Sequence, residues 1–551
     1  MKSGRFLWLT CSALAVLTVI ALGAGHRVKV ASAHGDKASV TVDLQSDVQN
    51  IVIIYAENRA FDNLYGNFPG ANGLSAVVGA NGRPLPAYNL QRDRDGTVLA
   101  TLPRVWHGVT EKGQLPVVTE AESAGLPNAP FSIETAFPHE LSNSTVTRDL
   151  WHRFFENQMQ IDGGKNDMFA AWTDAGALTM GHFDYSKSKL YKLAQEYVLA
   201  DNFFQGAFGG SFLNHQYLIC ACAPEYPHAD SAPARPSITV LKKDASGKYL
   251  PVLAPSATPN APRSALDGPP SFALSGNIAP LNYFGDGKFY AINTMQPPYQ
   301  PSLNRPLAGG GTNLLYADST RSTTLPPQTA ATIGDLLNAK KVSWKWYGGS
   351  WNLALADGQQ DASVRRNVIY TAGPDGATPE HPDFQAHHQP FNYYAAFDPV
   401  RHAADRAEHL KDYNDLVADA AAGTLPQVSF YKPEGEFNQH EGETNLADGD
   451  AKIADLVAKL QAGPQWKNMV IVITYDEFGG TWDHVAPPRG DLLGPGTRIP
   501  ALIISPLARK GTVDHTQYDT GSILRFLTRR FGLDVLPGLA ARDRAIREAG
   551  G

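Results

Sequence analysis

The chain has 551 residues, of which 43% are hydrophobic and 18% charged, a composition that reads as globular and allows one large domain or two ordinary ones. A formal net charge of −7 offers no basic surface and excludes a nucleic acid partner. Of the three cysteines, Cys11 lies in an apolar leader, so only Cys220 and Cys222 bear on the body of the fold.

Lys2 and Arg5 precede an apolar run, Phe6 to Ala24, and Ala31-Ser32-Ala33 supplies an A-x-A cleavage site. The pattern predicts a signal peptide over 1–33 and a mature chain over 34–551. No twin-Arg pair is present, which points to a Sec-type route and a periplasmic or secreted protein. Membrane insertion is not expected after cleavage, although the apolar run is long enough to act as an anchor if kept.

Val48–Ala56 (VQNIVIIYA) predicts a buried strand, and Glu57 and Asn58 follow it at once. Met469–Tyr475 (MVIVITY) predicts another, buried on both faces, followed by Asp476 and Glu477, the turn glycines Gly479 and Gly480, and then His484. In an open α/β sheet, ligands bind outside the carboxyl ends of the strands. Adjacent acids there are costly to hold ionised unless they are exposed or share a cation. If the two strands are parallel neighbours, both pairs reach one ion. Their oxygen donors suit Mg, Ca or Mn and are compatible with Zn. The plainer alternatives are solvated turn acids, and Asn58 as the cap of a following helix.

Between these strands, residues 66–138 read as loop, and Thr147–Asn157 as a helix with Leu150, Phe154 and Phe155 on one face. His139 and His152 flank this region. Tyr197–Asn202 is a short strand, and Gly206–Gly210 lead to Ser211 at the start of a helix. Ser211 reads as a helix cap or as a nucleophile, because glycines admit close backbone approach and a helix amino terminus binds anions. It is not a G-x-S-x-G elbow, since Leu213 stands two places on. Cys220 and Cys222 read equally as a tight disulfide or as two buried thiols, and the absence of a second Cys pair argues against zinc.

Residues 224–330 form a Pro-, Ser- and Ala-rich insertion with a strand-like patch at Ser237–Leu241. Thr332–Ala339 and Val342–Tyr347 restore helix–strand alternation. His387 and His388 fall on a loop, and Asp398–Ala421 is a charged helical stretch. Gln427–Tyr431 is a strand leading to a loop with His440 and Glu441. Asp450–Gln461 is an amphipathic helix, Arg498–Pro506 a strand, and Ser522–Phe531 the last clear helix. The alternation predicts an α/β fold.

Three motifs now stand together. They are Glu-Asn-Arg-x-Phe-Asp from Glu57, Gly-Gly-Ser ending at Ser211, and Tyr-Asp-Glu-Phe-Gly-Gly…Asp-His-Val-x-Pro-Pro from Tyr475. They resemble the bacterial phosphoesterase family, which contains secreted acid phosphatases and phospholipases C, and the resemblance runs over roughly 48–530. It implies an alkaline-phosphatase-like core with a mostly parallel sheet flanked by helices, plus loop-rich insertions. It implies a divalent metal ion held by Glu57, Asn58, Asp476 and Glu477, with Ser211 as a nucleophile touching the metal. The acid-phosphatase branch has several active-site histidines, matched here to His139, His387, His388 and His440. Ser211 stands where the phospholipase branch usually has Thr, which tilts the resemblance to the acid phosphatases.

Glu477 departs from that branch, which can carry Asp there, and its longer arm shifts the carboxylate by one methylene. His484 lies inside the last motif, where orientation of the acid pair is the one role it suggests. The expectation is a secreted metal-dependent acid phosphatase acting on phosphomonoesters through a phosphoserine. The alternative is a phospholipase C cleaving phosphatidylcholine-type phosphodiesters. A calcium-stabilised binding protein would instead leave Ser211 dispensable and show no turnover, and retention of the amino-terminal segment in the mature protein would favour an anchored surface protein with a vestigial site.

Overall fold

The computed structural model describes residues 42–227, 262–270, 283–306, 314–361 and 383–550, with residues 364, 366, 368 and 369 and backbone strand segments at 27–28, 240–243, 249–251, 278–280, 371–372 and 379–380. The signal peptide expected over 1–33 lies outside the described residues, apart from the backbone at 27–28. Val42–Asp43 and Leu44–Asp47 belong to a small unit of their own, and the sheet lies within residues 48–550.

Nine strands build that sheet: β1 Asn50–Ala56, β2 Val198–Phe204, β3 Trp344–Gly348, β4 Leu410–Asp412, β5 Val428–Lys432, β6 Met469–Tyr475, β7 Arg498–Ile504, β8 Thr512–Asp514 and β9 Tyr518–Asp519. Their order is β4-β3-β5-β1-β6-β7-β2-β8, with β9 also on β2. Only β7 runs antiparallel to its neighbours, β6 and β2, and the other pairs are parallel. The fold is therefore α/β with a mostly parallel sheet, as the sequence predicts.

β1 and β6 lie side by side, and every residue of both is buried. Burial on both faces is what their β-branched, aliphatic sequences are suited to. Ala56 pairs with Tyr475, so Glu57 and Asp476 leave the sheet at the same level. Helix Ser211–Cys220 packs against Thr520–Phe531, and Leu446–Ala462 against Lys189–Glu196 and Tyr413–Ala422.

Three expectations are corrected. The helix placed at Thr147–Asn157 spans Phe154–Ile161. Thr147 bridges to Thr110, and the carboxylates of Asp149 and Asp174 accept the N–H groups of Leu150 and Trp151. Those amides are spent on non-helical partners. The stretch Asp398–Ala421 is two helices, Ala403–His409 and Tyr413–Ala422, separated by β4 at the sheet edge, and Asp412 caps the second. A further helix, Pro537–Glu548, follows the last expected one and opens with proline in its first turn.

In the Pro-rich insertion, Val240–Lys243 pairs with Tyr249–Pro251 and Ile278–Pro280. It overlaps the strand patch expected at Ser237–Leu241, of which 237–239 lie outside the described residues. Cys220 and Cys222 are joined as a disulfide, with Cα atoms 5.1 Å apart. Among the described residues no helix is long and apolar enough to cross a membrane.

Candidate active site

The strand-end turns dock on each other. Asn58 adopts a left-handed φ of 62°, and its N–H donates to Asp476 Oδ1 at 3.1 Å. The Glu477 N–H donates to the same oxygen at 2.8 Å, which fixes one Asp476 oxygen and leaves Oδ2 without a hydrogen bond among the described residues. Gly479 is required where the turns touch: a Cβ there would lie 2.2 Å from the Asn58 carbonyl oxygen. Glu57, Asn58, Asp476 and Glu477 are all fully buried.

The turn after β2 delivers the serine. A Cβ on Gly209 would meet Phe154 N at 2.4 Å, and one on Gly210 would meet His152 O at 2.6 Å. These two glycines let the backbone of 152–154 press against the turn. Ser211 then opens helix Ser211–Cys220 with its Oγ 3.3 Å from Asn58 Oδ1 and 3.2 Å from Glu477 Oε1. It faces a cavity of about 610 Å³ whose wall also carries His152, Arg153, His387 and His440.

Of the four histidines matched by the resemblance, three gather here. His388 Nε2 contacts Glu57 Oε1, His440 Nε2 lies 3.8 Å from Glu57 Oε2, and His387 lines the cavity with its Nε2 lacking a hydrogen bond among the described residues. His139 does not join them. Its side chain is 45% exposed and pairs with Glu122 at 3.3 Å, on an exposed stretch over 138–140. His152 is the histidine that reaches the site instead, with Nε2 3.7 Å from Glu477 Oε1. His484 is also corrected. Its Nδ1 lies 2.6 Å from Asp62 Oδ2, so it bonds to Asp62 rather than to the acid pair.

Two buried residues were missed by sequence reasoning. His215 stands one helical turn after Ser211, donates from Nδ1 to the Ser211 carbonyl at 2.8 Å, and lies 3.8 Å from Asp476 Oδ2. The i, i+4 spacing from the serine was its signal. Lys432 is the last residue of β5, and its Nζ lies 2.8 Å from Glu57 Oε1 and 3.9 Å from Asp476 Oδ2. A lysine closing an apolar strand that borders β1 was its signal.

Charge divides these groups. Burial alone would raise the Glu57 carboxyl, but His388 and Lys432 beside it hold it well below the usual carboxylate range. Burial and the neighbouring Asp476 charge push Glu477 well above that range, and burial raises Asp476 against the pull of Lys432. Burial and the nearby Lys432 charge keep His215 well below its ordinary value. Burial works against protonation of His440, yet Glu443, Asp149 and Glu57 around it raise it to about 10. Burial pushes Glu441 up to about 8 although Arg59 pairs with it at 2.6 Å.

The donor set fits a hard divalent ion. It consists of three carboxylates and one amide on the adjoining ends of β1 and β6, joined by the hydroxyl that opens helix Ser211–Cys220, with the fully buried Asp476 Oδ2 left without a hydrogen bond among the described residues. Glu57, Asp476 and His215 also offer ligand atoms close enough together to hold an ion.

The Phosphoesterase family matches residues 48–534. Phospholipase C A of Mycobacterium tuberculosis is 21% identical over 539 residues, covering 91% of this chain and 76% of the relative. Non-hemolytic phospholipase C of Pseudomonas aeruginosa is 28% identical over 163 residues, covering 24% of this chain and 23% of the relative. Non-specific phospholipase C1 of Arabidopsis thaliana is 37% identical over 98 residues, covering 13% and 18%. A solved protein of the alkaline phosphatase superfamily from Vibrio parahaemolyticus is 11% identical over 66% of this chain and 64% of that one, with a TM-score of 0.29. The family match runs unbroken from the first sheet strand through helix Thr520–Phe531, and the chain therefore belongs to the phosphoesterase family, as a hydrolase acting on phosphoric ester bonds.

Proposed function

We propose that the chain is a metal-dependent phosphomonoesterase of the acid-phosphatase kind, acting outside the cytoplasm through a phosphoserine on Ser211. The observation that carries this reading is the wall around the serine: His152, Arg153, His387 and His440 line the same cavity as Ser211. A phosphomonoester brings two negative charges to that wall and a diester brings one, so the monoester gains more from such donors.

Ser211 Oγ attacks phosphorus in line with the leaving oxygen, while the N–H groups that open its helix receive phosphoryl oxygens. His440 lines the cavity and donates from Nδ1 to the Glu441 carbonyl, which leaves Nε2 as the nitrogen free to exchange a proton with a substrate. That nitrogen gives a proton to the departing alcohol and takes one from the water that later opens the phosphoserine. A divalent ion held by Glu57, Asn58, Asp476 and Glu477 would supply positive charge against the phosphoryl oxygens and lower the pKa of the Ser211 hydroxyl.

The second reading, a phospholipase C, is favoured by the name of the relative that aligns over 91% of the chain. The two are separated by kcat/KM on an aryl phosphate and on phosphatidylcholine, assayed side by side with divalent metal. The monoesterase reading expects the aryl phosphate to lead. A tenfold lead for phosphatidylcholine, about 1.4 kcal/mol of transition-state preference, replaces it with the phospholipase reading.

A further inference from the structure

We propose that Lys432 is a positioning residue that acts as an internal counter-ion. It holds Glu57 and Asp476 in place when no metal is bound, and it weakens the affinity of the site for a divalent ion. The inference rests on the metal reading of the strand-end oxygens given above.

Lys432 is fully buried at the end of β5, the strand that borders β1 on the side opposite β6. Its ammonium lies 2.8 Å from Glu57 Oε1 and 3.9 Å from Asp476 Oδ2, and 5.5 Å from the centre of the Tyr55 ring. It is not among the residues that line the cavity holding Ser211. Its reach is to two proposed metal ligands, each from a different strand.

Three carboxylates buried within one cluster repel one another, and a buried charge without a partner is strongly destabilising. A fixed cation among them offsets part of that repulsion whether or not a metal is present. Its attraction to the carboxylates is common to both states. What differs between the states is its repulsion of the incoming dication, which is felt only when the metal is bound. Removing the charge should therefore destabilise the metal-free protein more than the metal-bound one, and tighten metal binding. Linkage makes these two effects the same free energy seen twice. Glu57 Oε1 faces both His388 and Lys432, while Oε2 accepts from Asn438 Nδ2 at 3.3 Å.

The test compares the wild type with Lys432→Met and Lys432→Arg by calorimetric titration of metal-free protein with Mn²⁺, Mg²⁺ and Ca²⁺ in turn. Melting temperatures are measured with chelator and with saturating ion. The expected result is that Lys432→Met binds the same ion at least tenfold more tightly than the wild type. Its gap between metal-bound and metal-free melting temperatures should widen, and Lys432→Arg should stay near wild type in both. An unchanged or weaker affinity in Lys432→Met, with an unchanged gap, overturns the inference. If Lys432→Met folds only with ion present, the gap has widened to its limit and the inference stands. If it folds under neither condition, Lys432→Gln, which keeps donors without the charge, serves for the same titration and the same two outcomes. A wild type that binds none of the ions is a different failure: it removes the metal reading itself.

Discussion

Two buried acid clusters lie within a few residues of each other along the same chain segments, and they are built to opposite rules. In the first, Asp62 and Asp483 flank Arg498. Asp62 accepts from Arg498 Nη2 at 3.1 Å and from the His484 N–H at 2.8 Å, and Asp483 accepts from Arg498 Nε and from the N–H groups of Asp62 and Val485. Arg498 Nη1 donates to the carbonyls of Asn72 and Asp201, both at 2.7 Å. No polar side-chain atom of Asp62, Asp483, His484 or Arg498 is left without a partner. In the second cluster, Asp476 Oδ2, Asn58 Nδ2 and the Nε2 atoms of His215 and His387 are buried with no hydrogen bond among the described residues.

Both clusters hold residue types that bind metals, and Asp62, Asp483 and His484 are even close enough together to do so. What separates them is where the positive charge comes from. Arg498 already supplies the first cluster with a fully bonded partner that reaches Asp483 through Nε and Asp62 through Nη2, which makes it a structural brace. The second cluster has a lysine that reaches Glu57 and Asp476 only.

Substitutions in the two clusters should break in opposite ways. The largest effect is expected at Ser211→Ala, which should lower kcat by about a thousandfold or more while leaving the melting temperature nearly unchanged. Retained turnover in that variant would remove the serine from the chemistry.

Asp483→Asn should cost about 3–5 kcal/mol of stability, because it leaves a buried arginine short of its partner, yet leave the activity of the molecules that remain folded. Asp476→Asn should do the reverse, abolishing metal-dependent turnover with little loss of stability. Urea unfolding and specific activity measured on both variants decide this. A stability loss at Asp476→Asn as large as at Asp483→Asn would erase the distinction between brace and site.

A smaller effect should come from Glu156, which sits in the helix behind the serine turn. Burial raises its carboxyl to about 7 against the opposing Arg153, compared with 4.5 ordinarily. The folded state thus holds this proton more tightly than the unfolded state. Its contribution to stability is full below pH 4.5 and is lost as pH rises through about 7, by about 3 kcal/mol in all. Glu156→Gln should flatten the difference in urea midpoint between pH 5 and pH 8. An unaltered pH slope in the variant would show that Glu156 does not carry it.

The smallest effect is expected at His139→Ala, which should change neither activity nor stability measurably. His152→Ala, in contrast, should lower kcat/KM by about a hundredfold. Reversed results would return His139 to the site.

The sheet was legible because β1 and β6 are buried on both faces, and such strands have to be written as unbroken apolar runs. The acids after them were legible because nothing in a turn demands Glu-Asn or Asp-Glu. The histidines were harder. His139 and His152 lie on irregular chain, where sequence spacing carries no direction, and only the close approach of Gly209 and Gly210 to residues 152–154 selects between them. Lys432 was hidden because a lysine at a strand end normally reads as solvated. β4 was hidden inside a charged stretch because a strand of three residues, Leu410–Asp412, has no periodicity of its own.

The most direct test of the central claim, that Ser211 is the nucleophile of this site, is to trap the intermediate. Wild-type protein with divalent metal is mixed with an aryl phosphate carrying labelled phosphorus, quenched in acid within the first turnovers, digested and sequenced by mass spectrometry. The account predicts label on the peptide containing Ser211, and none in Ser211→Ala. Full turnover of the wild type with no labelled peptide would contradict it, and would mean that water attacks the phosphorus directly.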